Sequence, residues 1–216
     1  MIDVTQQIDS VNRQVGTRVL EDGRAHVVGV SRVYDVPLED LWDACSNPER
    51  IPLWFLPVTG ELRTGGRYQL EGNAGGTVLR CEPPAGFSAT WEYGEELSWI
   101  EVRLTREDGG ARFVLEHTAH IEDERWTEYG PGAVGVGWDL MLVGLTVHLS
   151  TGAAVDPREA MLWSASEEGR RFVTAGSDAW YRANVASGAD PEAARAAADR
   201  TTAFYTGADD PGGSAG

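Results

Sequence analysis

Of the four histidines, His117 is the one whose neighbours could make it reactive. In Phe113-Val114-Leu115-Glu116-His117-Thr118-Ala119, strand alternation puts it on the same side as Phe113, Leu115 and Ala119. A neutral imidazole on such a face could anchor a ligand carbonyl or act as a general base, with Tyr68 or Glu61 as helpers. The plainer reading is a core histidine that needs only one hydrogen-bond partner. His117 and His120 cannot share a metal from a regular strand, because their odd separation points them to opposite faces. Gly130-Pro131-Gly132-Ala133-Val134-Gly135 spells G-x-G-x-x-G, but the preceding Glu122-Asp123-Glu124-Arg125-Trp126 is acidic rather than a buried strand. It reads as a flexible lead-in to a helix, with at most a weak anion site at the helix N-terminus. No nucleophile-elbow serine, H-E-x-x-H or cysteine-histidine constellation is present, and Cys45 and Cys81 read as two small buried thiols. No lysine occurs, which excludes Schiff-base and P-loop lysine chemistry. The sequence therefore assigns no catalytic residue, no cofactor and no metal ligand.

Charge narrows the partners. With 34 acidic against 18 basic residues the formal net charge is −16, which repels phosphate backbones and anionic bilayers, so neither nucleic acid nor membrane is expected as a partner. The first residues, MIDVTQQIDSVNRQVG, show no basic and then apolar signal pattern, and a cytoplasmic location is the expectation. The acidic groups Glu92, Glu95, Glu96 and Glu122 to Glu124 read as solvated turns. Arg67 and Arg103 are better placed to pair with such acids than with a ligand carboxylate.

The element that must position any site is the apolar run from Val134 to Ser150. At helical spacing Val134, Trp138, Met141, Leu142, Leu145 and Leu149 form one stripe, and Val136, Leu140, Val143 and Val147 form a second on the far side. A helix with two dry faces belongs between two layers. The run is short for a bilayer crossing and is interrupted by Asp139 and His148. Ahead of it, strands are expected at 17–21, 24–34, 58–62, 67–71, 77–81, 87–93, 97–106 and 111–121, separated by short Gly, Pro, Asn and acidic turns. Two short helices follow the second strand, one holding Leu38, Leu41, Trp42 and Cys45, the other opened by Asn47-Pro48. Residues 1–16 read as a loose helix or an arm, without chemistry. After Gly152, helices are expected at 157–163, 167–186 and 191–205, packing Trp163, Phe172, Trp180 and Phe204 onto the second stripe, and 207–216 reads as a disordered tail.

Arg32-Val33-Tyr34-Asp35-Val36-Pro37, Leu41-Trp42-Asp43-Ala44, Asn47-Pro48-Glu49-Arg50 and Trp54-Phe55 resemble the start of the activator-of-Hsp90-ATPase-like branch of the SRPBCC (START, Bet v 1-like) superfamily. Gly65-Gly66-Arg67-Tyr68, Trp91-Glu92-Tyr93, Leu115-Glu116-His117-Thr118 and Gly137-Trp138 continue the likeness over about residues 17 to 150. The resemblance implies an α+β helix-grip fold over 17–152, a curved antiparallel sheet around a long helix with a cavity between. The helical segment 153–206 is not part of the general pattern.

The expected function is binding of a small hydrophobic molecule in that cavity, gated by the Asn47 to Phe55 region. The expected ligand residues are Trp54, Phe55, Trp91, Tyr93, His117, Trp138 and Met141, drawn from an aromatic set that also includes Trp42 and Phe113. Two alternatives stand beside it: a polyketide-cyclase-like enzyme, and a protein-interaction or Hsp90-related co-chaperone module working through the helical extension. A homodimer is a further possibility.

Overall fold

Alternating valines, aromatics and charges separated by tight turns give eight strands that pair in one antiparallel sheet. In the computed structural model, which describes residues 3–21, 23–120 and 124–207, the strands are β1 (Asn12–Leu20), β2 (Gly23–Tyr34), β3 (Val58–Gly60), β4 (Arg67–Leu70), β5 (Gly75–Glu82), β6 (Gly86–Tyr93), β7 (Glu96–Glu107) and β8 (Gly110–His120). Their order is β1-β2-β8-β7-β6-β5-β4-β3. Only β2–β8 is a non-sequential pairing, and everything between them is inserted at that point: α2 (Leu38–Ser46), a 3₁₀ turn (Ile51–Leu53) and the β3–β7 meander. The registers Phe87↔Val102, Ala89↔Ile100 and Ile100↔His117 place these side chains on one inner face, as alternation requires. The outer face carries an unbroken relay of ion pairs, Arg18 to Glu116 to Arg103 to Glu101 to Arg80 to Glu82, crossing from β1 to β5. Arg103 is thus committed outward, and Arg67 is paired with Glu92.

The N-terminal residues hold the helix that the sequence left open beside an arm, and a longer first strand than expected. α1 (Val4–Asp9) is capped by Asp3, and β1 begins at Asn12, five residues before the expected start at Thr17. The low apolar content of β1 reflects its position at the sheet edge, where little of it is buried. An unexpected helix, α3 (Glu124–Tyr129), stands where an acidic loop was expected; Trp126 within it stacks on His26, ring centroids 3.8 Å apart. Ile121 to Asp123 and the tail from residue 208 lie outside the described residues.

The long helix α4 spans Gly132–Thr151 and has both stripes covered. Trp138, Met141, Leu142 and Leu145 are buried, and so are Val136 and Val143, with Val136 fully enclosed. Its cover is the extension: α5 (Pro157–Ala165), α6 (Glu167–Ala186) and α7 (Pro191–Thr206). A Cβ at Gly135 would collide with the Trp180 indole, so this glycine lets α6 close on α4. Phe172 and Trp180 are buried as expected, but Phe204 is 59% exposed; its neighbour Tyr205 turns inward and donates to the Ala133 carbonyl at 3.2 Å. One residue along a helix is a rotation of about 100°, which turns Tyr205 inward and Phe204 out while their rings still meet edge-on, centroids 5.3 Å apart.

The two breaks in the apolar run are both buried. Asp139 accepts from Arg13 Nε at 3.2 Å on each oxygen and from Trp180 Nε1 at 2.9 Å, and Arg13 Nη2 lies 3.0 Å from Oδ1 as an ion pair. Arg13 Nη1 donates to the carbonyls of Ile8 and Val11. One carboxylate therefore ties the N-terminal segment and α6 to α4, a role that the assignment of residues 1–16 to an inert arm did not provide for.

Candidate ligand-binding site

Between the inner face of the sheet and the first stripe of α4 lies a cavity of about 120 Å³. β6, β7 and β8 supply Phe87, Ala89, Trp91, Ile100, Val102, Phe113 and Leu115; α4 supplies Trp138 and Met141. Val58, Tyr68, Leu70, Val78 and Cys81 close the far end from β3, β4 and β5, with Leu62 beside them. The remaining side is the segment from α2 through the 3₁₀ turn, with Cys45, Ser46, Ile51, Trp54 and Phe55.

That last wall is held by several contacts. Asn47 Oδ1 accepts from Glu49 N at 2.9 Å across a turn, but the helix expected to open at Asn47-Pro48 is reduced to the 3₁₀ turn Ile51–Leu53, whose N-cap position is Arg50. Trp54 Nε1 donates to Ala44 O at 2.9 Å, and the Trp54 carbonyl fits against α4 where Gly144 has no side chain. Arg50 reaches Asp40 Oδ1 at 2.6 Å and Asp43 Oδ2 at 3.0 Å, and its Nε donates to His148 Nε2 at 3.0 Å. An arginine only donates, so His148 accepts at Nε2 and donates from Nδ1 to Ala153 O at 2.8 Å. The Arg50 guanidinium, helped by Asn47, holds the Asp43 carboxyl below the usual range. Val155 N donates to Leu53 O at 2.7 Å, so the start of the extension latches the same wall.

Five of the seven expected ligand residues, Trp54, Phe55, Trp91, Trp138 and Met141, come together on the cavity wall. Tyr93 does not. It ends β6, is 47% exposed and lies under the Arg125 guanidinium, 5.8 Å from its ring centre, because the cavity stops one pair of residues short of that hairpin. His117 sits behind the wall rather than on it. Trp138 Nε1 donates to its Nδ1 at 3.1 Å, and the indole N–H can only donate, so the proton resides on Nε2. That proton goes to Ser98 Oγ at 2.8 Å, and the Ser98 hydroxyl donates to Trp91 O at 3.0 Å. Burial lowers the His117 pKa to about 4. Both nitrogens are used, and the relay ties the Trp138 indole to the Trp91 backbone; the two indole rings meet edge-on at 5.1 Å.

The proposed helpers separate. Tyr68 lines the cavity, but its hydroxyl donates to Thr90 O at 2.7 Å; Glu61 is exposed and paired with Arg63. Trp42 packs at the edge of the core without reaching the cavity, and Phe113 is core and wall at once. Sequence reasoning missed Ser98, although it continues the alternation of Ile100, Val102 and Leu104. It also missed that Cys45 and Cys81, the chain's two cysteines, both face the cavity.

A curved antiparallel sheet closed on a long helix, with two short helical pieces inserted after the second strand, defines a helix-grip protein of the SRPBCC type. The profile of the family described as activator of Hsp90 ATPase homolog 1-like protein matches residues 35–150, and the chain belongs to that family. No curated protein matches it. The crystal structure of CalU16 from Micromonospora echinospora is 33% identical over 80% of this chain and 97% of that one, with a TM-score of 0.63. The solution structure of CalU16 is 31% identical over 82% and 96%, with a TM-score of 0.68. DynU16, described as a protein of the dynemicin biosynthetic locus, is 17% identical over 59% of this chain and 48% of its own, with a TM-score of 0.55, a likeness of fold alone. The CalU16 match is too long to lie within residues 1–152, so the likeness reaches into the helical extension, beyond the end of the family profile.

Proposed function

We propose that this protein binds a small hydrophobic molecule between the sheet and α4, with the Asn47 to Phe55 wall as its way in. The observation that carries this reading is the cavity itself, walled by aromatic and aliphatic side chains in a fold whose wider superfamily is built around such a hollow. The biosynthetic-locus setting of DynU16 supports a small-molecule role in the same direction. Against the cyclase-like alternative, the described wall residues include no carboxylate or imidazole that could move a proton, and His117 is engaged at both nitrogens. A thermal-shift screen of the full chain against fatty acids, sterols and polyketide-like aromatics tests the proposal, since a ligand that binds only the folded state raises the melting temperature. No shift from any class ends it.

A second reading, contact with another protein through the extension, has one observation in its favour. α5 buries none of its residues, and Met161 and Leu162 are 72% and 65% exposed. A second copy of the chain is the partner to test first, by light scattering of wild type and of Met161→Ser/Leu162→Ser. A monomer in both at high concentration excludes the homodimer.

A further inference from the structure

The chemistry of the wall is more selective than its apolar character alone implies, because it carries no charge and most of its polar hydrogens are already spent. Trp54 Nε1, Ser46 Oγ and Tyr68 Oη donate to the backbone carbonyls of Ala44, Trp42 and Thr90, at 2.9, 2.7 and 2.7 Å, and Trp138 Nε1 donates to His117. Each bond runs into the surrounding structure, leaving rings, methyl groups, two thiols and the lone pairs of Ser46 Oγ and Tyr68 Oη for a guest. Among the described residues, the wall indole with no acceptor is that of Trp91, a donor. A guest carboxylate or ammonium would give up water and find no opposite charge on the wall to balance it. An ether or carbonyl oxygen gives up much less. Size adds a second limit. About 120 Å³ is close to the roughly 150 Å³ dry cavity that takes up benzene, and is too small for a sterol or a whole acyl chain.

We infer, building on the binding role proposed above, that the group held here is an uncharged aromatic ring of about benzene size. It enters either as a free molecule or as the buried end of a larger one whose remainder passes the 3₁₀ turn. Edge and face contacts with Trp54, Trp91, Phe113 and Trp138 suit a flat ring better than an alkyl chain. Carboxylated amphiphiles are excluded from the hollow.

The test is calorimetric titration of the full chain with toluene, anisole, phenol, benzoate and laurate, repeated on Ala89→Leu, which fills the cavity from β6. The expected result is binding of toluene, anisole and phenol, benzoate and laurate undetected, and loss of toluene binding in Ala89→Leu. Laurate or benzoate binding more tightly than toluene overturns the inference and leaves the carrier role standing. Toluene binding that survives in a folded Ala89→Leu places the ring elsewhere and overturns it as well. If none of the five binds, the inference fails, while the broader screen above decides separately whether the protein is a carrier.

Discussion

His117 shows how one side chain can be central to a site without touching what the site holds. Its imidazole is kept neutral by burial, with a pKa of about 4 against an ordinary value of 6.5. The unfolded chain therefore takes up a proton between about pH 6.5 and 4 that the folded chain refuses. The stability His117 contributes is complete above 6.5 and is lost as the pH falls through that window, about 3 kcal/mol in all at about 1.4 kcal/mol per pH unit. Asp139 works in the opposite sense: burial raises it to about 6, against the pull of Arg13 and Trp180, so its contribution is lost as the pH rises through 6. The two slopes oppose each other in the wild type. In urea unfolding, His117→Gln should be less stable at pH 7, and its deficit should shrink by about 3 kcal/mol by pH 4. A deficit that stays constant across that range shows that the imidazole is not held neutral.

At the scale of elements, the decisive contacts are those where one helix or turn is keyed to another. Asp139→Asn leaves the buried Arg13 guanidinium without its counter-charge, and a loss of about 3–5 kcal/mol is expected; Arg13→Met/Asp139→Leu should recover most of it, measured by chemical denaturation. Gly144→Ala drives a methyl group into the Trp54 carbonyl, so it should cost about 1–3 kcal/mol and change the rate at which a ligand enters more than Gly137→Ala does. If the two variants have the same entry rate, the 3₁₀ turn is not the way in. These contacts also mark what the sequence could show. Strand alternation put His117 on the same face as Phe113 and Leu115, because period two needs no knowledge of the partner strand. The two stripes of α4 were visible for the same reason. What could not be read was pairing across distance. Nothing in residues 12–16 announces that Arg13 meets a carboxylate 126 positions later, and a polar edge strand carries little hydrophobic signal. Tyr93 was misplaced because alternation gives a face but not where along the strand the hollow ends.

Taken whole, the molecule is three layers: a sheet whose outer charges are matched in a relay, a cavity against α4, and a helical cover. Removing residues 153–216 would strip the cover from Val136, Val143 and their neighbours and release the Val155 latch on the 3₁₀ turn. The expected outcome is an aggregating or dye-binding product rather than a smaller working domain, read by soluble yield and by fluorescence of an apolar-surface probe. A soluble fragment with an unchanged melting temperature would show that the cover is dispensable.

The glycine notches of α4 have a consequence in time as well as in space. Four glycines and several β-branched residues make this segment a poor helix former by itself; Gly135 and Gly144 fit only because a ring and a carbonyl fill their gaps. Its winding must wait for both flanking walls. On a translating ribosome the sheet strands emerge before α4 and its cover, so protease resistance of the sheet is expected to wait for the segment that carries Trp180 and Tyr205.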